Sequence, residues 1–147
     1  MAKQAEAASL LSLNRAEGLA GVRVLVVDDE QDTRRLISTV IAQSGAEVTA
    51  CASAGEALEA LKTWRPHILM SDIGMPGEDG YALIKQVRAL PPERGGRTPA
   101  AALTAYARDE DRGRALAAGY QLHIAKPFNP RELLAAVSDL QNYVVAS

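Results

Sequence analysis

Apolar residues fall along this chain in two rhythms. Short apolar runs at residues 22–27, 48–51, 68–72, 100–104 and 122–125 are bounded by polar residues or glycine. That is how parallel strands buried on both faces read. Between the runs, apolar residues recur at helical spacing. Residues 32–44 place Leu36, Ile37, Val40 and Ile41 on one face, and Gly45 stops the helix. Ser53 with Glu56 three residues later predicts a capping box. Ala57, Leu58 and Leu61 then form the apolar face of that helix, and Pro66 ends it. Gly74, Pro76, Gly77 and Gly80 mark a loop before a helix over about 81–90. Pro91-Pro92 stops this helix, and Gly95-Gly96 extends the turn. A further helix spans 109–118 and ends at Gly119. Asn129, Pro130 and Glu132 open the last helix, which turns Leu133, Leu134, Val137 and Leu140 to the core. Five strands alternating with five helices predict an α/β fold, a parallel sheet covered on both faces through right-handed crossovers.

The first twenty residues break the rhythm. They are rich in Ala, Glu, Gln, Ser and Leu, with Leu10, Leu11 and Leu13 as a short apolar stripe. Residues 1–20 are read as a tail or linker and 21–147 as one domain. A chain of 147 residues is long enough for one domain with a real core. The formal net charge of -2 and the absence of a basic run argue against nucleic acid as a direct partner. Cys51 is the only cysteine, so no disulfide within the chain is possible, and it reads as a small buried hydrophobe. No apolar stretch approaches the roughly 18 residues that a membrane span needs. A cytoplasmic location is the expectation. Trp64, ending the second helix, reads as a packing residue.

Chemistry gathers at the strand ends. The first run leads into Asp28-Asp29, the third into Asp72, the fourth into Thr104 and the fifth into Lys126-Pro127. In an open α/β sheet, ligands bind beyond the carboxyl ends of the strands. Three carboxylates, a hydroxyl and an ammonium are therefore expected in one crevice. Neighbouring carboxylates repel, and a divalent cation such as Mg²⁺ relieves that repulsion. A carboxylate beside such a cation stays ionised near neutral pH and is a competent nucleophile toward phosphorus. Gly74 has no side chain to keep its own carbonyl from the metal. Lys126 and Thr104 suit stabilisation of charge on phosphoryl oxygens, and small Ala105 leaves room for the group. Pro127 directly after Lys126 is a rigid turn, compatible with a cis peptide. Taken singly, each residue has a plainer reading as a loop carboxylate, a strand threonine or a surface lysine.

Together, VLVVDDE (24–30), MSDIGMPGEDGY (70–81), ALTAYA (102–107) and HIAKPF (123–128) resemble the receiver domain of two-component response regulators. Order and spacing agree across about residues 21–140. The resemblance implies a flavodoxin-like, doubly wound sheet of five strands in the order 2-1-3-4-5, an order for which the family is itself a standard example. It implies Asp72 as phosphoacceptor. Asp29 would bind Mg²⁺ directly, Asp28 largely through water, and the Gly74 carbonyl would complete the protein ligands. Thr104 and Lys126 would read the phosphoryl group. The expected function is Mg²⁺-dependent transfer from a phosphohistidine to Asp72, switching partner binding. Such a protein is a signalling phosphoacceptor rather than an enzyme, catalysing only its own phosphorylation and dephosphorylation. A histidine kinase or phosphotransfer protein is the expected partner, with a second copy of the chain as another. SDIGMPGEDGY, Gly95-Gly96 and ALTAYAR are most similar to receivers of hybrid sensor histidine kinases.

One position departs from the pattern. Receivers usually carry Tyr or Phe three residues before the lysine, as the ring that turns inward when the threonine moves. Here that position is His123, which is polar and of a type that titrates near neutral pH. Tyr106 is expected near the site mouth, where it would shield an acyl phosphate from water. Two rivals are weaker. A haloacid-dehalogenase-type hydrolase needs a second Asp two residues after the nucleophile, where Gly74 stands. A receiver-like module that works without phosphorylation would not need the complete residue set found here.

Overall fold

A computed structural model describes residues 19–105 and 108–146. Five strands, β1 (Arg23–Val27), β2 (Glu47–Cys51), β3 (Ile68–Asp72), β4 (Ala100–Thr104) and β5 (Leu122–Ala125), form one parallel sheet in the order β2-β1-β3-β4-β5. The helices are α1 (Gln31–Ala42), α2 (Ala54–Thr63), α3 (Gly80–Arg88), α4 (Asp109–Ala118) and α5 (Pro130–Ala146), with a short 3₁₀ turn at Pro92–Arg94. Both the sheet and its order agree with the sequence reading.

Alternation along the strands sorts side chains to two cores. Val24 and Val26 of β1 join Ile37, Val40 and Ile41 of α1 and Leu133, Val137 and Leu140 of α5. Leu25 and Val27 face the other way, onto Ala57 and Leu61 of α2 and Leu83, Ile84 and Val87 of α3. β3 and β4 are buried at every residue, as central strands covered on both faces must be. Leu19, the first described residue, is buried with Val22 and Ala46. Leu10, Leu11 and Leu13 lie outside the described residues.

The caps behave largely as read. Asn129 and Glu132 form a full capping box: Asn129 Oδ1 accepts from the Glu132 amide at 2.9 Å, and Glu132 Oε1 accepts from the Asn129 amide at 3.0 Å. Ser53 Oγ accepts from the Glu56 amide at 3.2 Å, but Glu56 reaches back to the Ala52 amide, one residue before the cap. Two readings need correction. Leu36 is 53% exposed rather than in the core, because the buried stripe of α1 runs through Ile37, Val40 and Ile41 and leaves Leu36 on its edge. The third helix begins at Gly80, one residue earlier than expected, capped by Asp79 Oδ1 on the Ala82 amide at 2.9 Å. Trp64 packs half-buried against the second core, with the Arg23 guanidinium 6.0 Å above its ring.

Candidate functional site

β1, β3, β4 and β5 end side by side, so their following residues share one edge of the sheet. Asp28 follows β1 and is wholly buried. Its Oδ1 accepts from the Glu30 amide at 2.9 Å, and its carbonyl accepts from Arg34 Nη1 at 2.8 Å. Its Oδ2 accepts from Lys126 Nζ at 3.2 Å. Asp72 ends β3 and is 7% exposed. Its Oδ1 accepts from the Gly74 amide and from Lys126 Nζ, both at 3.3 Å. Asp29 is exposed, yet one oxygen from each of Asp28, Asp29 and Asp72 lies within 4.8 Å of the other two. Thr104 is buried at the end of β4, and its carbonyl accepts from the Lys126 amide at 2.7 Å, which fixes where the lysine leaves β5. The Lys126-Pro127 peptide is cis. Asp28, Asp29, Glu30, Asp72, Ile73, Gly74, Thr104, Ala105 and Lys126 line a hollow of about 350 Å³.

The electrostatics are strained in one direction. Burial pushes the Asp72 carboxyl above its ordinary range, and the Asp28 charge pushes it further, against the pull of Lys126 and the Gly74 amide. Burial alone would lower the Lys126 ammonium, but Asp72 and Asp28 outweigh it and hold it above its ordinary value. One ammonium thus serves two carboxylates, with a third close by. The donors are all oxygen, the preference of a small hard cation, and the repulsion among them is what such a cation relieves. The residues present therefore fit Mg²⁺.

Several expectations meet the geometry differently. A Cβ on Gly74 would meet nothing within 4 Å, so lack of room does not explain glycine there. The crowded glycine of this loop is Gly80, where a Cβ would stand 2.5 Å from the Asp72 carbonyl oxygen. Tyr106 lies outside the described residues. His123 pairs with Ala102 across β4 and β5 and is half-buried, so it is not a fully exposed surface histidine. Sequence reasoning missed Arg34, whose guanidinium holds the Asp28 carbonyl. Its signal was a basic residue in the first turn of the helix after the acidic pair.

A protein-family model described as the response regulator receiver domain matches residues 24–138. The chain belongs to this family. A 14.6 kDa protein of uncharacterised function from Leptolyngbya boryana is 46% identical over 128 residues, 87% of this chain and 94% of that protein. The receiver domain matches curated transcriptional regulators at 32–34% identity while spanning only about half of their length. Among solved structures, a response regulator from Chloroflexus aurantiacus superimposes with a TM-score of 0.78 at 33% identity, covering 83% of this chain and 98% of that one. The signal receiver domain of a histidine kinase from Syntrophus aciditrophicus gives 0.77 at 26% identity, covering 86% and 95%. The fold is thus the flavodoxin-like fold of receivers, and the protein is a two-component receiver domain. No helix among the described residues is long and apolar enough to cross a membrane.

Proposed function

We propose that this receiver accepts a phosphoryl group on Asp72 from the phosphohistidine of a kinase or phosphotransfer protein. The observation that carries the reading is the position of Asp72 Oδ1, 3.3 Å from Lys126 Nζ, beside the carboxylates of Asp28 and Asp29. An oxygen of Asp72 forms the new bond to phosphorus while the bond from phosphorus to the histidine nitrogen breaks, and the imidazole leaves. Asp28, Asp29, Asp72 and the Gly74 carbonyl would hold Mg²⁺, which supplies charge neutralisation on the phosphoryl oxygens. The Lys126 ammonium offers a second positive charge to those oxygens, and the Thr104 hydroxyl a hydrogen bond. Asp28 keeps the lysine aimed into the hollow.

The acyl phosphate then replaces the Asp72 carboxylate as the partner of Lys126 and gains the Thr104 hydroxyl as a second. That change biases α4, β5 and α5, the elements that follow these residues, toward a form that binds a protein partner. His123 on β5 takes the place of the usual aromatic switch. Likeness to the Syntrophus aciditrophicus receiver supports placing this domain among receivers that work with or within hybrid kinases. A cytoplasmic setting suits such a partner.

Beryllofluoride with Mg²⁺ tests the reading by mimicking an aspartyl phosphate. Backbone NMR shifts are expected around residues 72–75, 104–105 and 122–126, dependent on Mg²⁺ and lost in Asp72→Asn. A spectrum indifferent to beryllofluoride in the unaltered protein would overturn it.

A further inference from the structure

The opposite end of the sheet carries a second hollow, separated from Asp72 by the length of β3. It has a volume of about 260 Å³ and lies between the α2–β3 turn and the loop after α3. Leu61, Pro66, Pro92 and Pro99 give it an apolar floor, and Arg65, Arg94 and Arg97 line it with Glu93. A smaller hollow of about 160 Å³ adjoins it, lined by Leu61, Lys62, Arg65 and Arg94. Arg65 and Arg94 therefore stand between the two. No basic run in the sequence announces this cluster; the fold assembles it from segments about thirty residues apart.

Three features mark it out. First, the side chains of Arg65, Arg94 and Arg97 make no hydrogen bond or ion pair among the described residues, although Lys62 and Arg108 nearby in type do find carboxylates. All three are exposed, and with Glu93 as the one carboxylate in the same lining they leave a local excess of positive charge that an anion would offset. Second, the walls are held. Arg65 adopts a left-handed backbone, φ 53°, and its carbonyl accepts from Arg23 Nε at 3.0 Å and Nη2 at 2.7 Å. On the other wall Gly95 has φ 102°, and a Cβ on Gly96 would stand 2.0 Å from the Leu90 carbonyl oxygen. Third, the chemistry is mixed in a specific way. Guanidinium forks match phosphate oxygens in pairs, the proline and leucine floor suits a flat apolar body, and Glu93 offers an acceptor for hydroxyl or amino groups.

We propose that this arginine-lined hollow binds a small phosphorylated ligand of nucleotide size, independently of the Asp72 site. The phosphate lies between Arg65 and Arg94, within reach of Arg97, and the ring rests on the proline floor. A long acidic peptide fits less well, because the apolar floor is short and bounded by two turns.

ADP serves as the probe, with adenosine and inorganic pyrophosphate as its two halves. Titrations use the Asp72→Asn chain in a metal-chelating buffer, so that phosphates cannot occupy the acidic site. Saturable NMR shifts at residues 61–67 and 92–99 are expected, with a Kd at or below about 1 mM at low salt. Roughly tenfold weakening is expected at high salt, since an anion held by exposed charges is screened. Pyrophosphate should bind more weakly than ADP, and adenosine should not saturate. The double variant Arg65→Ala/Arg94→Ala should lose binding at least tenfold, while its beryllofluoride response in the Asp72 background is unchanged. Absence of saturation, retention of affinity in the double variant, or preference for an acidic peptide over ADP would overturn the proposal.

Discussion

Lys126 Nζ stands 3.3 Å from Asp72 Oδ1, a contact that joins residues 54 positions apart. The same ammonium stands 3.2 Å from Asp28 Oδ2, a further 44 positions back along the chain. One cation thus satisfies two buried carboxylates and leaves a surplus of negative charge. Most of the site's behaviour follows from that imbalance.

Asp72→Asn should stabilise the metal-free protein. The folded Asp72 carboxyl lies above its unfolded value, so the folded chain takes up this proton more readily than the unfolded one. Stability from this group therefore grows as pH falls through the folded value toward about 3.9, and is lost at neutral pH. The variant removes that penalty. A rise in Tm of roughly 2–6 °C is expected at pH 7. The gain should shrink as pH approaches 4, and also when Mg²⁺ is added to both proteins. Calorimetry across that range checks the sign.

Lys126→Ala should do the reverse. It leaves Asp28 and Asp72 without their ammonium, and a loss of about 1–2 kcal/mol is expected, moderated by the partial exposure of the lysine. Mg²⁺ should recover much of the loss. Phosphorylation of Asp72 is expected to persist, while the shifts of β5 and α5 that follow it disappear. Urea unfolding with and without Mg²⁺ reads the first effect, and NMR of the beryllofluoride form reads the second.

Gly80→Ala should be among the costliest small substitutions in the chain. Its Cβ would press on the Asp72 carbonyl oxygen at 2.5 Å and on Ile73 Cα at 2.7 Å, both backbone atoms of the strand end that carries the acceptor. Loss of about 3 kcal/mol is expected, together with weaker Mg²⁺ binding because that strand end moves. Gly74→Ala, where a Cβ meets open space, should cost about 1 kcal/mol or less. Equal losses at the two positions would contradict this assignment of crowding.

Arg88 fastens two loops from the end of α3. Its guanidinium donates to the carbonyls of Gly119 at 2.9 and 2.7 Å, Gly96 at 3.0 Å and Thr98 at 2.7 Å, and to Gln121 Oε1 at 3.1 Å. Arg88→Met keeps much of the packing and removes every donor, so at least about 2–3 kcal/mol should be lost in urea unfolding. Arg88→Lys should recover little, since a single ammonium cannot reproduce the fork.

The sheet, its helices and the acidic crevice were legible because they rest on rules the sequence obeys locally. Apolar runs two-sidedly buried mark β3 and β4, and strand-end positions bring Asp28, Asp72, Thr104 and Lys126 to one edge whatever the details of packing. What was not legible depends on distances that no local pattern encodes. Gly80 is required by a backbone met across a loop, while Gly74, the glycine with the apparent chemical reason, has room to spare. Arg34 and Arg88 spend their guanidinium groups on backbone carbonyls, six residues back for Arg34 and up to 31 residues on for Arg88, where sequence shows only charged helix positions. Leu36 has the spacing of a core residue and sits just off the edge of the buried stripe. The arginine-lined hollow has no linear signal because turns from two parts of the chain make it. His123 lay between these cases: its departure from the family pattern was visible, but its half-buried place beside β4 was not.

The most direct measurement is the intact mass of the protein after incubation with acetyl phosphate and Mg²⁺, followed by peptide mapping after borohydride trapping. The account predicts the gain of one phosphoryl group, located on Asp72, dependent on Mg²⁺ and absent in Asp72→Asn. A protein that gains no mass, or gains it equally in the Asp72→Asn variant, would contradict the assignment of Asp72 as the phosphoacceptor.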